Sequence, residues 1–203
     1  MKDYDFFPGE GKFYKANLHC HTVISDGKLT KEQIKEEYQK RGYSIVAFTD
    51  HRTYGYHPEL TDENFIALAG IEVDVSENPE KRGGWPHAKC YHLNFYDEHP
   101  EEGKEFPLPT YVYEDMAGQN AYIKERTEAG FLCCYNHPYW SLQNYDDYKD
   151  FEGLWAMEIY NHGCEHDGLY GFNPQSYDEM LRSGQKLFTV ATDDNHNWFP
   201  LTD

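Results

Sequence analysis

The sequence contains few basic residues. Its 203 residues include 18 Lys and Arg against 36 Asp and Glu, which gives a formal net charge of −18. Nucleic acids and anionic membrane surfaces are bound mainly by Lys and Arg, so this composition argues against both classes of partner. We therefore expect no nucleic-acid partner and no membrane partner. A local positive site remains open, because bound metal ions can reverse the sign of the electric field around them.

The sequence also has no CxxC pair. Its cysteines are odd in number: Cys20, Cys90, Cys133, Cys134 and Cys164. This argues against a disulfide framework or a zinc ribbon, and reduced thiols in the cytoplasm are the simplest interpretation. There is no apolar signal-like segment at the N-terminus and no run of about 18 apolar residues. We expect a soluble, cytoplasmic protein.

The chain has no long linker, repeat or low-complexity tract. Seven apolar or β-rich runs are separated by helical patterns or loops; they lie at 12–19, 44–50, 65–73, 89–96, 131–137, 154–161 and 186–193. Cap residues and glycines predict helices from Thr30 to Gly42, over 110–129, and from Asn173 to Gly184. Residues 76–88 are predicted to be a loop or hairpin insertion.

Strands that alternate with helices predict a parallel α/β fold within one domain, residues 1–203. Apolar runs such as SIVAF at 44–48 fit strands that are covered on both faces. An open doubly wound sheet and a closed barrel share this pattern, and the location of the polar residues must distinguish them. A helix after the seventh run is expected and is missing, so we expect that the chain either is truncated at its C-terminus or continues in the natural protein.

The stretch LHCHTVISDG, residues 18–27, carries two histidines one residue apart. On a strand, His19 and His21 would project from the same face, and two imidazoles on one face supply half of a metal site. Taken alone, the pattern fits a surface strand with chance histidines equally well.

Most of the seven runs carry a residue that can bind metal at or near their ends. These residues are His19, His21, Asp50, His51, Glu72, His92, His137, Asp193, Asp194 and His196. In a barrel, the C-terminal ends of the strands converge on one mouth, where active sites lie. The pattern therefore favours a barrel with a multinuclear metal site over an open sheet.

Six segments resemble, in order, the motifs of the PHP (polymerase and histidinol phosphatase) superfamily: HCHTVISDG, TDH, GIEV, YHLNFY, YNHP and TDDNH. The resemblance covers nearly the whole chain, from about residue 13 to residue 196. The resemblance implies a distorted (β/α)7 TIM-like barrel, up to three divalent metal ions and phosphoester hydrolysis.

The resemblance also implies a ligand set. A first metal would be held by His19, His21, Glu72 and Asp194, a second by Glu72, His92 and His137, and a third by Asp26, His51 and His196. The spacing agrees with this at one point, because Asp194 and His196 share a face if the strand conformation continues, while Asp193 points away.

Individual residues have alternative interpretations. Asp26 precedes a glycine and fits a turn, and His92 lies within an apolar run, where a hydrogen-bonded core histidine is a rival. His137 precedes Pro138, which favours an extended backbone. Asp50 is expected to orient a neighbouring group rather than to bind metal directly.

Other residues lie near the expected mouth without belonging to the implied ligand set. His162 follows the sixth run and is a candidate catalytic residue beside Glu72 and Asp194. The proton donor to the leaving group is open between His162, Asp193 and a coordinated water. The aromatic pairs Tyr139-Trp140 and Trp198-Phe199 either line the pocket or pack in the core.

Charge favours phosphate as the substrate group. Three carboxylates, three divalent ions and one hydroxide leave about +2 at the pocket floor. We expect a phosphoesterase with two or three Mn, Fe or Zn ions that hydrolyses a small phosphorylated metabolite or nucleotide by attack of a metal-bound hydroxide. The alternatives are a non-catalytic metal-binding module, a nuclease or proofreading module, and hydrolysis of a non-phosphate ester or amide.

Overall fold

Seven strands follow one another in chain order around a nearly closed barrel. The computed structural model describes residues 9, 11–78 and 88–197 of the chain. The strands are β1 (Ala16–Asn17), β2 (Ile45–Phe48), β3 (Ile66–Ser76), β4 (Cys90–Asp97), β5 (Phe131–Tyr135), β6 (Ala156–Asn161) and β7 (Phe188–Thr192). The predicted seven-stranded α/β barrel is confirmed.

Helices cover the outside of the barrel. They are α1 (Lys31–Lys40), α2 (Met116–Glu128), α3 (Tyr145–Tyr148), α4 (His162–Gly168) and α5 (Pro174–Arg182), together with a 3₁₀ turn at Pro58–Leu60. The predicted capping box is present at α1, where Thr30 and Gln33 bond each other's backbone N–H groups. Within the described residues, no helix has the length and apolar character that crossing a bilayer requires.

Two predicted boundaries were wrong. Helix α2 begins at Met116 rather than at 110, because the Asp115 side chain caps it by accepting from the Gly118 amide. Strand β1 covers Ala16–Asn17 rather than 12–19. Beyond Asn17 the Cys20 amide donates to a side-chain oxygen, Thr49 Oγ1, at 3.1 Å instead of to a backbone carbonyl of the neighbouring strand.

Strand β4 runs antiparallel to both β3 and β5, so the expectation of an all-parallel sheet was wrong at this point. Ser76 pairs with Cys90, as in a hairpin, and a parallel crossover would need a longer connection, usually a helix. Residues 79–87 of the predicted insertion lie outside the described residues. Because β4 starts where β3 ends, His92 near its start reaches the same end of the barrel as Glu72.

The barrel closes where the segments after β1 and β7 meet. Cys20 forms an isolated parallel bridge with Asn195, and the His21 amide donates to the Asn195 carbonyl at 3.0 Å. The Lys28 amide donates to the His196 carbonyl at 3.0 Å. The segment after β7 therefore joins the first and last strands.

Two apolar layers support this end of the barrel. The interior contains a small cluster of buried residues, Ala47, Tyr96, Cys134 and Ala156. A larger cluster outside packs α2 and α5 against the sheet and includes Ile71, Phe95, Ile123, Met157 and Met180. Burial on both faces holds the strand ends rigidly, which is what a multi-ligand site requires.

Candidate metal centre

All nine predicted ligands lie at one end of the barrel. Five of them are buried, namely His19, His21, Glu72, His137 and Asp194. His51, His92 and His196 are half-buried at the rim, and Asp26 is exposed beside them. The chain thus places carboxylates and imidazoles from nearly every strand end in one funnel that opens to solvent.

Two histidines and two carboxylates form the floor. The Nε2 atoms of His19 and His21 lie 3.1 Å apart. Asp194 Oδ1 lies 3.3 Å from His19 Nε2 and 3.2 Å from His21 Nε2. Glu72 approaches the same two nitrogens at 3.3 and 3.4 Å. The four side chains therefore direct their donor atoms at a common point.

Glu72 lies at the centre of the whole cluster. Its Oε1 is 3.0 Å from His92 Nδ1 and 3.6 Å from His137 Nε2, and its Oε2 is 3.1 Å from His51 Nδ1. His92 therefore faces the carboxylate of Glu72, itself a predicted ligand, and does not occupy an isolated core position. With oxygens directed at both the floor and this second group, Glu72 can serve two ions.

A third group forms the outer rim. Asp26 Oδ1 lies 3.3 Å from His196 Nε2 and 3.7 Å from His21 Nδ1, and Asp26 Oδ2 lies 3.8 Å from His51 Nε2. Asp26 is therefore more than a turn residue. His21 belongs to both the floor and the rim, so the three groups share members and are not separate sites.

The backbone at two ligands differs from the expectation. His137 has φ +24° and Asp194 has φ +48°, so neither residue continues a strand. The extended conformation predicted for His137 before Pro138 was wrong. The strand conformation that would let Asp194 and His196 share a face does not continue past Thr192. Non-glycine residues with positive φ are strained, and they concentrate at functional sites where the surrounding structure enforces them.

Glu158 is an important residue of the site that sequence reasoning missed. It is fully buried in β6, and its Oε1 accepts from His19 Nδ1 and from Thr192 Oγ1, each at 2.6 Å. Its Oε2 accepts from the His137 amide at 3.2 Å and from Asn161 Nδ2 at 2.9 Å. A carboxylate that binds a ligand's far nitrogen fixes the tautomer and orientation of that ligand. The available signal was a single acidic residue inside the apolar run LWAMEIYN.

Amides orient the ligand carboxylates in the same way. Asn136 Nδ2 donates to Glu72 Oε1 at 2.9 Å, and Asn161 Nδ2 donates to Asp194 Oδ2 at 3.1 Å. These bonds hold both carboxylates in the orientation in which they face the imidazoles.

Asp50 supports the loop that carries Asp26, as the sequence predicted for an orienting residue. Its carboxylate accepts from the Thr22 amide at 2.8 Å, from Thr22 Oγ1 at 2.9 Å and from Ser25 Oγ at 2.7 Å. Within the described residues its side-chain hydrogen bonds go to Thr22 and Ser25, so it acts on the neighbouring predicted ligands through the loop.

The carboxylates and imidazoles of the floor shift each other's pKa values. Burial lowers the pKa of His21, but hydrogen bonds to Asp194 and Glu72 outweigh burial and raise the pKa to about 9. Burial likewise acts to raise the pKa of Glu72, but His19, His92 and His51 hold it well below its ordinary value. Without metal, the floor therefore holds ionised carboxylates against protonated imidazoles.

The donor set fits divalent cations. Glu158 engages His19 Nδ1, which leaves His19 Nε2 directed at Glu72 and Asp194, where it can bind a cation. Asp194 Oδ1 is buried, and the imidazole nitrogens of His19 and His21 face it. Buried charged acceptors of this kind are normally paired or coordinate metals, and mixed imidazole and carboxylate donors suit Mn, Fe or Zn.

The remaining candidates lie apart from this cluster. His162 is exposed, and its ring bonds Tyr160 Oη at 2.9 Å and His166 Nε2 at 3.0 Å. Asp193 Oδ2 accepts from Tyr38 Oη at 2.9 Å on the side away from Asp194. The catalytic role of His162 stays a prediction, and in this arrangement neither residue faces the ligands.

Trp140 lines the site. Its ring packs edge-on against His92 and His137 with centroids 5.8 and 5.2 Å away, and its Nε1 donates to Asp167 Oδ2 at 2.7 Å. The pair Trp198-Phe199 lies outside the described residues.

The fold and the site together define a TIM-like α/β barrel with a candidate metal centre of carboxylates and imidazoles. The model of the PHP domain family matches residues 17–189, and the chain belongs to that family.

Three solved structures share the fold. An amidohydrolase from Chromobacterium violaceum, solved with bound SO4 and no metal, has a TM-score of 0.61 and 15% identity over 90% of this chain and 87% of that one. A candidate metal-dependent phosphoesterase from Bifidobacterium adolescentis has a TM-score of 0.58 and 17% identity, covering 93% and 90%. A two-domain protein from Bacteroides vulgatus that contains a predicted PHP-like metal-dependent phosphoesterase has a TM-score of 0.52 and 16% identity, covering 90% and 52%. At these identities the likeness concerns the fold alone.

Two curated relatives match shorter segments. A 5′-3′ exoribonuclease of Haemophilus influenzae is 34% identical over 93 residues, which are 43% of this chain and 31% of that protein. The DNA polymerase/3′-5′ exonuclease PolX of Bacillus subtilis is 32% identical over 79 residues, 30% of this chain and 14% of that protein. The chain thus spans less than a third of either relative.

Proposed function

We propose that the protein is a metal-dependent phosphoesterase that hydrolyses a small phosphorylated metabolite or nucleotide. The observation that carries this proposal is the convergence of six histidines and three carboxylates at one end of the barrel, with Glu72 at their centre. Among them, the buried oxygen Asp194 Oδ1 is available to a cation. The free thiols of all five cysteines support the cytoplasm as its location.

Two or three divalent ions would be held by the floor, by the group around Glu72 and by the rim. Divalent ions in these positions lower the pKa of a coordinated water and stabilise negative charge on a phosphate. Glu158, Asn136 and Asn161 hold the ligand side chains in place beforehand, so their orientation costs little when substrate binds.

A cavity on the His51 and His92 side supports a small substrate. Its volume is about 640 Å³, within the usual range for small-molecule sites. Arg52 and Asp74 line it, together with Val75, Ser76, Asn78, Pro109, Tyr111, Val112, Tyr113 and Glu114. None of the nine predicted ligands, which all lie within the described residues, lines the cavity, but Arg52 follows His51 in the chain and Asp74 pairs with His92 across the sheet.

The net charge of −18 further favours a small substrate. For a phosphate monoester inside the funnel, attraction by the proposed metal ions outweighs repulsion by the acidic surface. A polymer would lie across an acidic surface with few Lys or Arg to replace its counterions, and surface charges act over about 8 Å at physiological salt.

Hydrolysis of nucleic acid is the second candidate, favoured by the nuclease names of the two curated relatives. The two candidates differ in how a long oligonucleotide acts on the enzyme. As a small-substrate enzyme, the protein should hydrolyse a phosphate monoester at nearly the same rate when a long single-stranded oligonucleotide is added at moderate salt. Strong inhibition, or degradation of the oligonucleotide, would favour the nuclease.

The primary experiment combines metal analysis of the purified protein with a phosphatase screen over phosphorylated metabolites, nucleotides and amino-alcohol phosphates. Glu72→Gln is the inactive control, and Glu152→Gln, an exposed glutamate in a loop, is the matched control for the same chemical change. Bound metal with hydrolysis that requires Glu72 supports the proposal. Bound metal without hydrolysis of any ester would indicate a non-catalytic binding module.

A further inference from the structure

A buried cysteine lies among the metal-ligand candidates although no motif identifies it. Cys164 in α4 is 4% exposed. Its Sγ, a ring nitrogen of His137 and a carboxylate oxygen of Asp194 lie within 4.8 Å of one another. These three atoms come from three different parts of the chain, so their proximity is a product of the fold.

The start of α4 is built to hold Cys164 at this position. Asn161 Oδ1 accepts from the Cys164 amide at 2.9 Å, and Asn161 Nδ2 donates to Asp194 Oδ2 at 3.1 Å. The Gly163 amide donates to the Asp193 carbonyl at 2.9 Å, and a Cβ at Gly163 would lie only 2.8 Å from the Asp194 carbonyl oxygen. Glycine therefore allows the helix to approach the ligand loop closely.

The thiol has polar surroundings but no hydrogen-bond partner in the part of the chain that the structure describes. The thiols of Cys20, Cys90 and Cys134, by contrast, each lie within hydrogen-bond distance of a backbone carbonyl, and Cys133 lies in an apolar cluster. Independently, Asp194 Oδ1 is buried and faces the ring nitrogens of His19 and His21 at 3.3 and 3.2 Å. A buried thiol without a hydrogen bond to any described residue thus lies at one side of a cluster whose carboxylate and imidazole donor atoms suit a cation.

We propose that Cys164 is a metal ligand of this centre and supplies a thiolate beside His137 and Asp194. A soft sulfur donor favours Zn²⁺, Fe²⁺ or Co²⁺ over Mn²⁺ or Mg²⁺, so Cys164 would set the choice of metal. When the thiol binds, its S–H bond breaks, the proton passes to solvent, and a sulfur–metal bond forms without electron transfer. The inference rests on the proposed function to the extent that the centre must hold divalent metal.

The experiment is reconstitution of the metal-free protein with Co²⁺, followed by absorption spectroscopy and by measurement of the bound cobalt. The wild-type protein should show a sulfur-to-cobalt charge-transfer band in the near ultraviolet. Cys164→Ser and Cys164→Ala should lose the band while the histidine and carboxylate positions still bind cobalt. Cys133→Ala, which removes a fully buried thiol from the apolar cluster outside the barrel, should keep it.

The outcomes separate the two proposals. Bound cobalt without the band in the wild-type protein, or a band that survives in both Cys164 variants, overturns ligation by Cys164 and leaves the phosphoesterase proposal intact. No bound cobalt at all overturns the metal-dependent function itself. Should the Cys164 variants fail to fold, X-ray absorption of the wild-type zinc protein decides, since ligation requires a sulfur neighbour at about 2.3 Å.

Discussion

Replacing Glu158 by glutamine tests whether the site depends on the orientation of His19. The buried carboxylate accepts four hydrogen bonds, two at each oxygen. A glutamine can accept at only one end. If its NH₂ group faces the His137 amide and the Asn161 side-chain amide, which are both donors, neither hydrogen bond can form. If it faces His19, the ring is favoured in the tautomer that carries its proton on Nε2, the atom that faces Glu72 and Asp194.

The expected loss of stability and of metal affinity follows from these hydrogen bonds. Hydrogen bonds to a charged group contribute about 1.5–3 kcal/mol each, so losing two of them should lower the unfolding free energy of the metal-free protein by about 3–6 kcal/mol. Residues that orient metal ligands typically change metal affinity or activity by about 10–100-fold, and we expect Glu158→Gln to weaken metal binding by that factor.

The assay has two parts. Urea unfolding of chelator-treated protein gives the change in stability, and competition with a metal chelator gives the change in affinity. Glu152→Gln, the same chemical change on an exposed side chain, should leave both values unchanged. If Glu158→Gln bound metal as tightly as the wild-type protein, the proposed role of Glu158 in fixing His19 would be refuted.

Three further predictions concern the same centre. Glu72→Gln or Asp194→Asn should abolish metal uptake and hydrolysis with an unchanged far-ultraviolet circular dichroism spectrum, and near wild-type turnover in either variant would contradict the assigned roles. Burial lowers the pKa of His21, but hydrogen bonds to Asp194 and Glu72 raise it to about 9, so His21 must lose a proton when metal binds. Metal affinity should therefore fall as the pH drops below about 9, and calorimetry in buffers of different ionisation enthalpy should detect proton release at neutral pH; zero release would contradict this. Asp50→Asn should destabilise the protein by about 2–5 kcal/mol in urea unfolding, because donors in residues 22–25 lose a charged acceptor, and an unchanged midpoint would argue against this role.

The ligand candidates could be found from the sequence because their chemistry is local. Residues such as His51 and His137 lie next to apolar runs, and a barrel brings strand ends to one mouth whatever the details of the turns. The capping box at Thr30 was equally predictable, since it depends on two residues three positions apart. The prediction that residues 1–203 form a single domain stays a prediction.

Other features depend on contacts between distant residues. The direction of β4 is set by the hairpin that pairs Ser76 with Cys90, which apolar periodicity does not reveal. The positive φ of His137 is enforced by its surroundings against the local preference of a residue before proline. Glu158 and Cys164 act through neighbours more than 20 residues away in the chain, and neither stands in a motif.

The closure of the barrel by the segment after β7 has a consequence for chain entropy. His19 and His21 follow the first strand and Asp194 follows the last, so one metal ion on the floor would link the two ends of the barrel. Such a link closes a loop of most of the chain, in the manner of a long-range disulfide. In the chain-entropy model a closed loop of more than 100 residues stabilises a protein by on the order of 5 kcal/mol. The metal would then be a structural cross-link as well as the centre of the chemistry. Chelation should accelerate amide hydrogen exchange first at His21 and Lys28, whose N–H groups bond across this junction.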